Sequence, residues 1–263
     1  MRGAQGPLHN VGVQGYGEDL AYIHDVGFSD YVLNSSPGLL HLFRKHGFYG
    51  GLVVDLGCGS GRWAGELSRA GYRVLGIDQS AAMIRLARRT APQARFQIGS
   101  FLKFDFPGCD GITSLGECLN YCFDENNGRS ELLSLFKRAY RALRPGGLFV
   151  LDSATPSRFP APMPHQSWRE GPGWAVLVTT DGDRERNILR RQIVSFRKRG
   201  QLYRRSEEVH SLRLYRTEDL LKDLTQCGFQ VRALRQFGSF RLPRGITAFV
   251  AIKLKALTQS RRT

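Results

Sequence analysis

The chain has 263 residues, of which 41% are hydrophobic, 11% aromatic and 23% charged. That apolar content excludes global disorder, and the length suits one larger α/β domain or a domain with an inserted cap. The formal net charge is +15, with 31 Arg against 7 Lys. Apart from Arg2, arginines and lysines are spread from Arg44 to Arg262, densest between Arg184 and Arg205. Such a charge admits an anionic partner, RNA or a phosphorylated small molecule, and equally a solvated arginine-rich face. No apolar run approaches the ~18 residues of a membrane span, and the first residues lack the apolar stretch of a secretory signal. A cytoplasmic protein without membrane contact is expected. Cys58, Cys109, Cys118, Cys122 and Cys227 form no CxxC pair. Packed, reduced thiols and no metal are expected of them.

Residues 1–15 are glycine-rich and polar. Residues 16–47 read as helical: Ser36-Pro37 suits an N-cap and first turn, Leu39, Leu40, Leu42 and Phe43 make an apolar stripe, and Gly47 stops the helix. From Leu52 the pattern changes. Strands are expected at Leu52–Leu56, Arg73–Ile77, Phe96–Ile98, Gly111–Leu115 and Leu148–Asp152. Helices are expected at Arg62–Ala70, Ala81–Arg89 and Glu131–Leu143. Short apolar runs alternating with helical periods mean a mostly parallel sheet covered on both faces.

Residues 153–216 break the alternation. A Pro-rich loop leads into period-two runs at Ala175–Thr180, Leu189–Arg197 and Gln201–Leu214, with turn signals at Asp181-Gly182-Asp183 and Gly200. An antiparallel insert is expected here. Thr217 then caps a helix ending at Gly228, and runs at Phe229–Phe237 and Ile246–Lys253 supply two closing strands.

The informative segment is Val53-Val54-Asp55-Leu56-Gly57-Cys58-Gly59-Ser60-Gly61, a strand entering a glycine turn that opens a helix. A turn without Cβ atoms lets a ligand lie against the main chain at the carboxyl edge of the sheet. Arg62 stands where a dinucleotide fingerprint needs its last glycine, and no Gly-Lys-Ser/Thr of a P-loop is present. The next strand ends in Asp78, 17 residues after Gly61. A carboxylate there can accept from both hydroxyls of a ribose, or else simply cap the following helix. A third signal is Leu143-Arg144-Pro145-Gly146-Gly147-Leu148, a turn into an apolar strand.

Together these motifs resemble the class I S-adenosylmethionine-dependent methyltransferases over about residues 50–152. The resemblance implies an α/β fold: a doubly wound, seven-stranded, mostly parallel sheet with an N-terminal helical cover (1–47) and an inserted antiparallel sheet (153–216). The cofactor-binding core would be 48–152, closed by 217–254 and followed by a basic tail, 255–263. It implies S-adenosylmethionine as cofactor, S-adenosylhomocysteine as product and no metal. Asp55, Gly57, Cys58, Gly59 and Gly61 would border the methionine moiety, Asp78 would hold the ribose hydroxyls, and Gln79 and Met83 would flank ribose and adenine. The following strand usually ends in an acidic residue toward the adenine amino group; Gly99-Ser100-Phe101 stands there instead, leaving Ser100 and Phe101 as candidates. Gly116 and Tyr22 complete the expected cofactor contacts.

The segment Gly116-Glu117-Cys118-Leu119-Asn120-Tyr121 would face the reactive methyl group. It lacks the Asn/Asp-Pro-Pro-aromatic motif of amino-directed nucleic-acid enzymes, the Pro-Cys nucleophile of cytosine enzymes, and a metal-binding carboxylate cluster. Glu117, Asn120 and Tyr121 are therefore candidates for lining the acceptor site, against a plain core role. His24 titrates near neutrality and is a candidate base, with His210 beside Glu207 and Glu208 a lesser one. Trp168 and Trp174 either wall the acceptor pocket or, as the preferred reading, pack the insert. The expected function is methyl transfer to nitrogen or oxygen of a small-molecule acceptor by a monomer or homodimer. An RNA methyltransferase and a non-catalytic cofactor-binding partner protein are the alternatives.

Overall fold

The computed structural model describes residues 15–124 and 128–255. The start of the chain and nearly all of the basic tail, 255–263, lie outside the described residues. Helices α1 (Glu18–Gly27) and α2 (Asp30–Lys45) come first. They are followed by β1 (Gly51–Leu56), α3 (Arg62–Arg69), β2 (Tyr72–Asp78), α4 (Ala81–Thr90), β3 (Arg95–Ile98), β4 (Cys109–Ser114), α5 (Arg129–Ala142) and β5 (Leu143–Ala154). Four strands then run consecutively: β6 (His165–Gly171), β7 (Trp174–Asp183), β8 (Ile188–Arg199) and β9 (Leu202–Arg213). Helix α6 (Thr217–Gln226), β10 (Gln230–Leu234), a short hairpin of β11 (Gln236–Phe237) and β12 (Phe240–Arg241), and β13 (Ile246–Ile252) close the chain.

The main sheet has seven strands in the order β10-β13-β5-β4-β1-β2-β3. Only β13 runs antiparallel to its neighbours, pairing with β5 and β10. The central strands are apolar along their length because both faces are covered. One face packs Leu39, Phe43, Trp63 and Leu67 of α2 and α3 against β1, β5 and β13. The other packs Leu132, Leu135 and Phe136 of α5 and Leu220 and Leu224 of α6 against the same sheet. The switch in strand order beside β1 opens a crevice at the carboxyl ends of β1 and β4, where ligands of open α/β sheets bind.

The expected helix boundary at Ser36-Pro37 is corrected. Helix α2 runs through it, with Pro37 inside. The hydroxyls of Ser35 and Ser36 donate one turn back to the Tyr31 and Val32 carbonyls, at 2.6 and 2.7 Å, instead of capping an N-terminus. Burial of Leu39, Leu42 and Phe43 outweighs the amide that proline withholds.

The insert has four strands, not three, in the order β6-β7-β8-β9. Strand β6 escapes a periodicity reading because all its residues but Gly171 are exposed. The Asp181-Gly182-Asp183 turn is also corrected: those residues lie in β7 and pair with Arg190, Leu189 and Ile188. A Cβ on Gly182 would stand 2.4 Å from the Ile188 carbonyl oxygen, so glycine serves a close strand approach there. Thr217 does not cap α6 through its side chain; its hydroxyl lies 3.4 Å from that of Thr247.

Candidate active site

The glycine turn after β1 is built by backbone geometry that side chains oppose. Gly57 has φ +68°, and a Cβ there would lie 2.6 Å from Cys118 Sγ. Gly59 has φ +52° with nothing within 4 Å of a would-be Cβ, so the turn is open on that side. Gly61 begins α3 and backs onto Ala87 rather than walling the cavity. At the end of β2, Asp78 Oδ2 accepts from the Gly59 amide at 3.0 Å and Oδ1 from the Ser80 amide at 2.8 Å. Ser80 is the residue that caps α4, accepting from the Met83 amide, so helix capping does not occupy Asp78. Burial pushes the Asp78 carboxyl up while those two amides pull it back. Asp55 is buried at the end of β1 and accepts from the Thr113 hydroxyl at 2.7 Å. Burial, with the Asp78 charge adding to it, pushes Asp55 up to about 7 against that hydrogen bond.

Beyond Asp78, Gln79, Met83 and Phe101 line the same cavity. Ser100 does not. Its hydroxyl donates to Asp124 Oδ2 at 2.7 Å and accepts from the Leu102 amide. Gln79 Nε2 donates to the same Asp124 oxygen at 2.6 Å, while Gln79 Oε1 is buried without a partner. Asp124, a cavity residue that sequence reasoning missed, thus brings a carboxylate to the end of β3 from a loop after β4. Nothing local in the sequence signals it; only the crossover does.

The turn after β4 is strained by design of its backbone. Gly116 and Glu117 have φ +86° and +63°, and both amides donate to Asp152 on β5, at 2.8 and 2.7 Å. Holding Glu117 in the left-handed region costs about 1–3 kcal/mol, offset here by two charge-assisted bonds. The Glu117 carboxylate lines the cavity, but Arg158 Nε and Arg191 Nη2 each donate to one of its oxygens at 2.9 Å. Burial acts to raise its pKa, yet the two guanidiniums win and hold it below the usual range. Glu117 thus lines the cavity, as the sequence led one to expect, but as an ion-paired carboxylate and a poor proton acceptor.

Asn120 is corrected more fully. It is completely buried, donating to the Ala154 and Arg213 carbonyls and accepting from the Ala154 amide and Ser153 hydroxyl. All its hydrogen-bonding capacity ties the loop to β5 and β9, away from the cavity. Tyr121 does line the cavity, and its hydroxyl lies 2.9 Å from that of Tyr16, which enters from the N-terminal cover.

His24, on α1, also lines the cavity, with its ring edge-on to Tyr16 and stacked on Phe28. Burial, with His210 adding to it, pushes the imidazole down to about 4 against the pull of Asp25. His24 is therefore neutral at physiological pH. Tyr22 faces elsewhere: Arg197 lies 3.6 Å over its ring, and it takes no part in the cavity. His210 is buried, its Nε2 2.9 Å from Glu208, whose other oxygen accepts from the Gly17 amide at 3.1 Å. That contact joins the insert to the N-terminal cover. Trp174 packs with Leu20, Ile23, Val176 and Ile193, as preferred, whereas Trp168 is 70% exposed on the outer face and does neither job.

These groups surround one cavity of about 690 Å³, running from the glycine turn to the inner face of the inserted sheet. The residues fit S-adenosylmethionine: the open side of Gly59, the carboxylates of Asp55 and Asp78, and the unpartnered Gln79 Oε1 offer acceptors for amino and hydroxyl groups along one wall. Strand order, glycine turn and acidic strand end define a class I methyltransferase fold. A methyltransferase-domain family model matches residues 53–147. A putative methyltransferase of Bacillus subtilis, YqeM, is 24% identical over 189 residues, covering 69% of this chain and 74% of that protein. Among solved structures, the sugar N-methyltransferase KedS8 of a Streptoalloteichus species superposes with TM-score 0.75 at 20% identity, over 97% of this chain and 99% of that one. The amino pentose methyltransferase CalS10 of Micromonospora echinaspora, solved with S-adenosylmethionine bound, gives 0.70 at 20% identity, over 91% and 98%. Residues 53–147 thus carry a methyltransferase domain, set in the fold of the class I S-adenosylmethionine-dependent methyltransferases. Among the described residues no helix is long and apolar enough to cross a membrane.

Proposed function

We propose that this enzyme methylates a nitrogen or oxygen of a small molecule held between the glycine turn and the inserted sheet. One observation carries the reading: a single cavity has the acidic strand ends at one end and, at the other, a roof of inward-facing β7 and β8 residues such as Val178, Arg191 and Ile193. A roofed space of this size suits a metabolite rather than a polymer. The enzymes named for sugar and amino pentose methylation share this fold over nearly their whole length, which favours a small amine or hydroxyl acceptor.

In this reading Asp55 receives the amino group of the cofactor, Asp78 its ribose hydroxyls, and Gly57, Cys58, Gly59 and Gly116 lie along its length. Met83 and Phe101 flank the adenine, and Asp124, held by Gln79 and Ser100, takes the position of the missing acidic residue. Bound there, S-adenosylmethionine supplies a methyl group activated by sulfonium. The protein must hold the acceptor atom in line at about 3–3.5 Å and remove its proton where it carries one. His24, a neutral imidazole facing the cavity whose proton affinity burial lowers, accepts a hydrogen bond from the acceptor's N–H or O–H and orients it, and Tyr16 and Tyr121 position the acceptor beside it. The insert serves as roof, and residues 16–47 as cover.

The basic charge does not favour RNA. Within the densest basic stretch, Arg197, Arg199 and Arg204 converge on Asp19, and Arg191 on Glu117, so part of this charge is engaged in ion pairs that tie the insert to the rest of the chain. Transfer of labelled methyl from S-adenosylmethionine into fractions of a host-cell extract tests the reading. Label is expected among small molecules. Label in RNA would overturn the substrate class, and label in neither would favour a non-catalytic protein.

A further inference from the structure

We propose that the acceptor carries an acidic group, a carboxylate or a phosphate, and that Arg158 and Arg191 hold it; this rests on the methyltransferase reading of the cavity. The two guanidiniums share one carboxylate, each 2.9 Å from a different oxygen of Glu117. All three groups line the cavity, so its acceptor end carries one positive charge in excess. The Arg191 and Glu117 side chains are only 18% and 10% exposed and Arg158 is 34% exposed, so the excess charge is partly withdrawn from water and favours a counter-ion.

Among the described residues, the other charged groups are engaged elsewhere: Glu208, behind the roof, lies 2.9 Å from His210 Nε2 and accepts from the Gly17 amide. Asp152 lies beneath the turn, accepting from the Gly116 and Glu117 amides and the Tyr31 hydroxyl. Arg62 also lines the cavity, but both oxygens of Asp25 accept from it, at 2.7 and 2.9 Å. The remaining carboxylates, Asp55, Asp78 and Asp124, stand at the cofactor end. The cavity is polarised, with acid toward the donor and base toward the acceptor.

The roof repeats this pattern. Strand register aligns His165, Thr180, Arg191 and His210 in one row across all four inserted strands, and all four residues line the cavity. The next row inward brings Ser167, Val178 and Ile193, and Leu189 lies on the other side. A strip of polar side chains, in which Arg191 is the fixed donor and His210 gives its Nε2 to Glu208, is framed by apolar ones and seats an oxyanion and the body attached to it. Guanidinium forks suit that geometry, since their planar N–H pairs match carboxylate and phosphate oxygens.

The test is titration of the protein, with and without S-adenosylhomocysteine, by acetate, inorganic phosphate and neutral acetamide at fixed ionic strength. One of the two anions is expected to bind and acetamide not, and the tighter anion identifies the acid. Arg158→Gln and Arg191→Lys should weaken that binding at least fivefold while S-adenosylhomocysteine affinity stays within twofold. Arg158, with 34% of its side chain exposed, is the variant least able to disturb the fold. Glu117→Gln removes the competing carboxylate while keeping its shape, and should tighten anion binding. A purely structural role would give the opposite sign. Equal binding of anions and acetamide, or weakening in Glu117→Gln, would overturn the proposal. Failure of S-adenosylhomocysteine to bind would instead sink the underlying reading, with the titration of the unloaded protein still deciding whether an anion site exists.

Discussion

Tyr31 donates its hydroxyl to Asp152 at 2.7 Å, joining helix α2 of the cover to the end of β5. The same carboxylate holds the amides of Gly116 and Glu117, so one buried group sets both the cover and the turn over the cavity. Burial pushes Asp152 up to about 6. A carboxyl raised above its unfolded value favours folding while protonated, and that contribution is lost as pH rises through about 6. Tyr31→Phe removes a donor from the ionised form. It should destabilise the protein by about 1–2 kcal/mol at pH 8 and by less at pH 5, read from urea unfolding at both pH values.

Asp55 links titration to ligand binding. Burial lifts its pKa to about 7, so its ionised form is favoured once a cationic amino group sits against it. S-adenosylhomocysteine should therefore bind more tightly as pH rises from 5 toward 7, releasing a proton. Calorimetry in buffers of different ionisation enthalpy measures that release. Heats independent of the buffer would remove Asp55 from the cofactor site. Asp55→Asn should stabilise the ligand-free protein at pH 8, by at most about 4 kcal/mol for a shift of some three pH units.

Asp78→Ala should weaken S-adenosylhomocysteine more than tenfold, because hydrogen bonds to a charged acceptor contribute roughly 1.5–3 kcal/mol each. It also strips the Gly59 and Ser80 amides of their acceptor, so a modest loss of stability should accompany it. Calorimetric titration and urea unfolding separate the two effects. Unchanged affinity would sink the ribose assignment.

Asn120 predicts the reverse pattern. Its buried amide satisfies two carbonyls, a backbone amide and a hydroxyl. Asn120→Ala should cost about 2–4 kcal/mol of folding stability by leaving several of these groups unpaired. Cofactor affinity of the folded fraction, measured by titration at low temperature, should change little.

His24→Gln should lower kcat by about tenfold, the loss of one oriented hydrogen bond of roughly 1–1.5 kcal/mol, with S-adenosylhomocysteine affinity within twofold. Because burial holds His24 at about 4, its protonation should limit the rate only below about pH 5. A variant with unchanged kcat on the identified acceptor would remove His24 from the acceptor site.

Local sequence is enough to specify the class of fold and the cofactor end of the cavity. Apolar runs such as Leu52–Leu56 and Leu148–Asp152 are dictated by burial on both faces of β1 and β5. Gly57, Gly59 and Asp78 form a contiguous turn and a strand end, so local spacing carries their meaning. Legibility failed where contacts are long-range. Ser36-Pro37 looks like a helix start until burial of α2 overrides local propensity. Strand β6 has no alternation, because an edge strand with exposed faces needs none. Only the tertiary structure decided the acceptor end. Glu117 reads as a lone carboxylate at the acceptor site until Arg158 and Arg191 arrive from 41 and 74 residues away. Asn120 reads as a site residue until β5 and β9 close around it, and Tyr22 turns out to serve Arg197. A side chain's chemistry is set by its charged and polar neighbours, and here those come from the insert, whose register the sequence pattern alone does not specify.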